Sequence, residues 1–65
     1  MLEILGENLR IGDVLRVAWA DKSAAIVAFE AYAGPFDWVC KIAVLADGSR
    51  MSISYGRYYE CMRRA

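Results

Sequence analysis

Four segments of this chain place apolar residues at every second position, and that period constrains the fold more than any other feature. In Val14-Leu15-Arg16-Val17-Ala18-Trp19, Leu15, Val17 and Trp19 share one face, with Arg16 and Ala18 on the other. Ala25-Ile26-Val27-Ala28-Phe29-Glu30-Ala31-Tyr32 sets Val27 and Phe29 opposite Glu30. Trp38 to Leu45 sets Cys40, Ile42 and Val44 against Lys41, and Arg50 to Tyr55 alternates Met51, Ile53 and Tyr55 with Ser52 and Ser54. Side chains along a strand point alternately to its two faces, so this pattern reads as half-buried β-strands. β-Branched and aromatic enrichment agrees. A helix over 23–33 is the rival reading, because Ala24, Ala25, Ala28 and Ala31 favour that state. The β-branched pair Ile26-Val27 and the alternation favour the strand.

The breaks between the runs have hairpin chemistry. Asp21-Lys22-Ser23 separates the first two, and Ala33-Gly34-Pro35-Phe36-Asp37 separates the second and third. Ala46-Asp47-Gly48-Ser49 carries Asp-Gly, a strong short-range hairpin signal between alternating strands. Tyr55-Gly56-Arg57 is too short for an α-helix and reads as one 3₁₀ turn, after which Tyr58 to Met62 alternates again. Met1 to Leu5 offers a further edge pairing. The expectation is one all-β domain over residues 1–65, with strands near 14–20, 24–32, 38–45, 50–55 and 58–62.

Sixty-five residues lie near the lower limit for folding without help, so burial must be efficient. A content of 58% hydrophobic residues and eight aromatics meets that need and excludes disorder. So small an interior leaves many apolar residues near the surface, where contiguous apolar area marks contact sites. A homo-oligomer or another protein partner is therefore expected.

Net charge is zero, with eight basic and eight acidic residues, which disfavours a nonspecific nucleic-acid binder. The charges are unevenly spread. Residues 1–37 hold six acids against three bases, a net of −3, and residues 38–65 hold five bases against two acids, a net of +3. No targeting segment or membrane-length apolar run is read, so a cytoplasmic protein is expected. Cys40 and Cys61 both sit in strand-like runs and are expected to be buried free thiols, with a disulfide as the alternative if their two strands are neighbours.

Catalysis is not expected. The chain has no histidine, the usual general base, and Ser23, Ser49, Ser52 and Ser54 lack an activating partner. Two cysteines do not make a structural zinc site, and no cofactor is expected. Two groups stand out as contact residues instead. Tyr32, Phe36, Trp38 and Tyr58 fall at loop edges or outward positions and suit a protein interface, whereas Trp19, Phe29 and Tyr55 fall on inward faces. Arg50, Arg57, Tyr58, Tyr59 and Arg63 suit unpaired nucleic acid, by phosphate contact and base stacking.

Ile11-Gly12-Asp13-Val14-Leu15-Arg16-Val17 resembles the lead-in and first strand of many SH3-like barrels. The order of four meandering strands, a short Tyr55-Gly56-Arg57 turn and a last strand is also similar to that superfamily. The resemblance implies a small five-stranded antiparallel barrel with a 3₁₀ turn before the last strand. It does not choose a function, since the fold carries peptide binders, RNA-binding modules and oligomeric enzymes. Tyr32, Tyr55, Tyr58 and Tyr59 could ring a peptide groove, but the Ala-Leu-Tyr-Asp-Tyr segment of peptide-binding SH3 domains is absent. Met51-Ser52-Ile53-Ser54-Tyr55 is loosely similar to the Val-Gln-Ile-Tyr run of plasmid-borne dihydrofolate reductases and lacks its glutamine. An oligomeric enzyme with a site between subunits therefore stands as a third reading.

Overall fold

The alternating runs do form strands. A computed structural model describes residues 2–17 and 22–65. Its elements are β1 (Leu2–Leu5), a 3₁₀ turn η1 (Gly6–Asn8), β2 (Val14–Val17), β3 (Lys22–Glu30), β4 (Val39–Leu45), β5 (Arg50–Ser54) and β6 (Tyr58–Arg63). The expected continuation of β2 through Trp19, and the start of the turn at Asp21, lie outside the described residues. Lys22 and Ser23 already belong to β3, and residues 23–30 are strand, not helix.

The strands form one antiparallel sheet in the order β1-β6-β2-β3-β4-β5. Six strands replace the expected five, because Leu2–Leu5 pairs with β6 from Leu2↔Cys61 to Leu5↔Tyr58. No ladder joins β1 to β5 among the described residues, so the barrel is not closed. The 3₁₀ turn is also elsewhere than expected. Tyr55-Gly56-Arg57 is a plain turn, with Gly56 at φ +70°, outside the helical region. Gly6–Asn8 supplies the 3₁₀ turn instead and carries the chain from β1 toward β5.

The core comprises Leu9, Leu15, Val17, Ala24, Ile26, Ala43, Leu45, Ile53 and Cys61, with Ile4, Phe29, Met51 and Tyr59 packed against it. A register shift in β3 decides which of its residues reach this core, and β4 carries a second shift near its start. In β3, Ile26 faces Leu45 and Ala28 faces Val44, leaving Val27 as an extra residue. Such a bulge reverses the alternation. Ala24 and Ile26 point inward before it and Phe29 after it, while Val27 is half exposed. The expected pairing of Val27 with Phe29 on one face is therefore corrected. In β4, Val39 faces Ser54 and Lys41 faces Ile53, so Cys40 is the extra residue. Ala43 and Leu45 are the buried members, and Cys40, Ile42 and Val44 are only partly buried. Lys41 shares the inward parity. It lays its stem along the core margin, with Nζ 3.3 Å from the Leu9 carbonyl and 4.1 Å from the Phe29 ring centroid.

The Asp47-Gly48 hairpin forms as read. Gly48 has φ +88° and donates to the Leu45 carbonyl, and Asp47 accepts from the Ser49 amide and hydroxyl at 2.9 and 2.6 Å. Cys40 and Cys61 are free thiols, but only Cys61 is fully buried. Among the described residues no helix is long and apolar enough to cross a membrane.

Candidate functional site: the two faces flanking strand β5

β5 is an edge strand, and the two groups of contact residues meet at its ends. At its C-terminal end, the Tyr55 amide donates to the Trp38 carbonyl at 2.9 Å, which fixes these residues as cross-strand neighbours. Trp38 stacks on Phe36 with ring centroids 4.7 Å apart and planes 26° from parallel, the offset geometry aromatic rings prefer. The three rings are open to solvent, with Phe36 49%, Trp38 56% and Tyr55 58% exposed. Tyr55 was expected in the core. It continues the inward parity of Met51 and Ile53 but lies beyond the strand's end, where no facing layer remains to cover it. A hydrogen bond with Cys40 raises its hydroxyl above the ordinary tyrosine value. Tyr32 is not part of this platform. It is half-buried, and its hydroxyl accepts the Phe36 amide at 3.3 Å, bracing the loop that carries the stack.

The second face is a groove between β5 and β6. These strands are consecutive, joined by the Tyr55-Gly56-Arg57 turn, yet no ladder pairs them. Near the turn they are tied: the Ser54 amide donates to the Tyr59 hydroxyl at 2.8 Å. η1 clamps the same corner, through Gly6 N–H to the Arg57 carbonyl and the Gly56 N–H to Glu7 Oε1. Hydrogen bonds from its own amide and from Gly56 hold the Glu7 carboxyl below the usual range. Away from the turn the strands diverge around a groove of about 800 Å³, lined by Arg16, Arg50, Met51, Ser52, Arg57, Tyr58, Tyr59 and Glu60.

Four of the five residues read as nucleic-acid contacts, Arg50, Arg57, Tyr58 and Tyr59, meet in this groove. Arg63 does not line it, being opposite Val14 near the other end of β6. Tyr58, read as part of the aromatic rim, lines the groove and is 60% exposed. The charges here are partly answered. Arg50 makes a bidentate pair with Glu30 at 2.9 and 3.2 Å, and Arg16 lies 3.8 Å from Glu60. The Glu30 carboxyl is held low by the hydrogen bond from Arg50. Arg57 lies over the Tyr59 ring, 5.7 Å from its centroid, within cation–π range. Phosphate binding through counterion release needs cations without such partners, so this groove is a mixed-charge surface more than a basic one.

Arg16, Ser52 and Glu60 were missed because nothing in their spacing marks them. The β2–β6 pairing sets Arg16 beside Glu60, and the groove between β5 and β6 brings Ser52 to the same wall. Among the described residues no cluster of three or more histidine, cysteine or acidic groups could hold a metal ion. No protein-family model, curated protein or solved structure matches this chain.

Proposed function

We propose that this protein is a noncatalytic, self-associating interaction module of SH3-like architecture that meets protein partners through the Phe36–Trp38–Tyr55 platform. The supporting observation is the exposed Phe36–Trp38 stack, held in place by Tyr32 and Tyr55. Two stacked rings present rigid apolar area and need little further ordering on contact, which is why aromatic residues dominate binding hot spots. The rest of the surface is consistent with this. Leu2, Ile11, Val27, Tyr58 and Met62 are also about half exposed or more, a heavy apolar load for so small a domain. The pairing of β2 with β6 and the β2-to-β5 meander support the SH3-like reading.

Sedimentation across micromolar to millimolar concentrations tests this function. The expected result is a concentration-dependent rise in mass that Trp38→Ala abolishes while the far-ultraviolet spectrum is unchanged. A strictly monomeric wild-type chain would overturn self-association.

A further inference from the structure

We infer that the open edge of β5 in the β5–β6 groove accepts an extended acidic peptide segment as an added strand. This rests on the reading of the protein as an interaction module, but it uses a different surface and a different chemistry from the aromatic platform.

The edge is open over a defined stretch. In an antiparallel strand, alternate residues direct both backbone groups to one side. The Tyr55 amide turns toward β4 and donates to Trp38, whereas the Ser54 amide turns away from β4 to the Tyr59 hydroxyl. By the same alternation, Ser52 and Arg50 direct their N–H and C=O groups away from β4, and both residues line the groove. The edge is therefore covered at Ser54, by Tyr59 and η1, and uncovered at Ser52 and Arg50. Proteins normally blunt such an edge or use it. A groove of about 800 Å³ lies within the size range of specific ligand sites.

Charge selects the occupant. Three arginines and one glutamate line the groove, and that glutamate is beside Arg16. Arg57, at the apex where the strands diverge, has no carboxylate partner among the described residues, and its guanidinium is steadied over Tyr59. A strand added along Ser52 and Arg50 would bring every second side chain over this wall. A carboxylate there could take a charge-assisted hydrogen bond from Arg57. Main-chain bonds would supply register and affinity, and Arg57 the preference for acid.

Fluorescence anisotropy with a labelled octapeptide of alternating threonine and glutamate tests this on the whole chain. Saturable binding is expected, weakened about fivefold or more by Arg57→Ala, the effect of about 1 kcal/mol for one exposed charge-assisted contact. Arg57→Lys should recover part of it. Methylating alternate peptide amides should remove binding, and a threonine–lysine octapeptide should not bind. Hydrogen exchange at the Ser52 amide should slow in the complex. Trp38→Ala should leave all of this unchanged, so loss of self-association and loss of peptide binding separate the two readings. The inference fails if the acidic peptide does not bind, if backbone methylation has no effect, or if an oligothymidylate binds more tightly than the peptide and competes with it.

Discussion

The Asp13 carboxylate holds the backbone amide of Ala65, 52 residues further along the chain, at 2.9 Å. Asp13 is completely buried. Its other oxygen accepts the Arg10 amide at 2.9 Å, and Arg64 Nε lies 3.3 Å from the first. On the backbone side, its carbonyl accepts from Ile26 and its amide donates to Arg10. The side chain thus fastens the lead-in to β2 to the last residues of the chain, and the backbone of the same residue ties both to the start of the β3 bulge region.

Removing that carboxylate should be costly. Asp13→Ala leaves the part-buried Arg10 and Ala65 N–H donors without their acceptor and Arg64 without its counter-charge. The expected loss is about 2–4 kcal/mol of unfolding free energy, a large share of what so small a domain possesses. Urea titration of the two proteins measures it, and a loss below about 1 kcal/mol would show that the cluster is not a structural tie.

Acid should undo the same tie. Burial alone would raise the Asp13 carboxyl, but hydrogen bonds from the Ala65 and Arg10 amides and the charge of Arg64 outweigh it and hold it low. A folded-state value below the unfolded one gives stability that is fully present above about pH 4 and is lost as pH falls through the folded value. Thermal melts should therefore show a gap between wild type and Asp13→Asn that is constant at neutral pH and narrows as the pH falls below the ordinary carboxylate value of about 4 toward the lower folded-state value. Glu7, Glu30 and Asp47 are also held low, by hydrogen bonds at the surface, so both proteins keep some acid sensitivity.

Gly6 should tolerate no side chain. A Cβ there would overlap the Ser54 carbonyl oxygen and Ile53 Cγ2 and press on the Tyr59 ring. Gly6→Ala must push η1 off β5, at an expected cost of about 1–3 kcal/mol, typical of overpacking. Faster hydrogen exchange at Ser54, whose amide rests on Tyr59, would locate the damage. Unchanged exchange and stability would mean that the corner is not closely packed.

The thiols should react in a fixed order. Cys61 is buried in the core and donates to the Arg63 carbonyl at 3.2 Å, whereas Cys40 is half-buried at the β4 bulge. A thiol-specific reagent should modify Cys40 in the folded protein and Cys61 only on unfolding, so Cys61 labelling becomes a clock for opening of the sheet. Labelling of Cys61 as fast as Cys40 under native conditions would contradict the packing.

Strand existence was legible because period two, β-branched residues and Asp47-Gly48 act locally. Strand facing was not. Val27 and Cys40 look like ordinary members of alternating runs, and only pairing with Val44–Leu45 and Ile53–Ser54 turns them into extra residues. The bulge at Val27 lets Ile26 and Phe29 both face inward, and in β4 it is the parity of Ala43 and Leu45 that packs against the core, a choice between two faces that alternation alone does not make. Asp13 read as part of a Gly-Asp lead-in, because the groups that it binds, at Arg64 and Ala65, are at the far end of the chain. The groove residues Arg57, Tyr58 and Tyr59 were legible as a cluster in sequence. Glu60 follows them directly on β6, whereas Arg16 joins them only through the pairing of β2 with β6.

The extra residue in β3 has a consequence for how this chain can vary. The first half of β3 follows β2, from Val17↔Lys22 to Val14↔Ala25, and the second half follows β4, from Ile26↔Leu45 onward. A single extra position, Val27, lies at the join of those two halves. Deleting it would make Ile26↔Leu45, Ala28↔Val44 and Phe29↔Ala43 an unbroken ladder, with Phe29 still inward and Glu30 outward, and would remove only the local bend and twist of the bulge. Substitutions at Val27 are cheap, since its side chain is half exposed, and losing this residue keeps the facing of its neighbours. A one-residue change in length elsewhere in β3 would turn every side chain beyond it to the other face. Insertions and deletions belong instead in the Ala31–Asp37 connection, where no sheet register depends on the count.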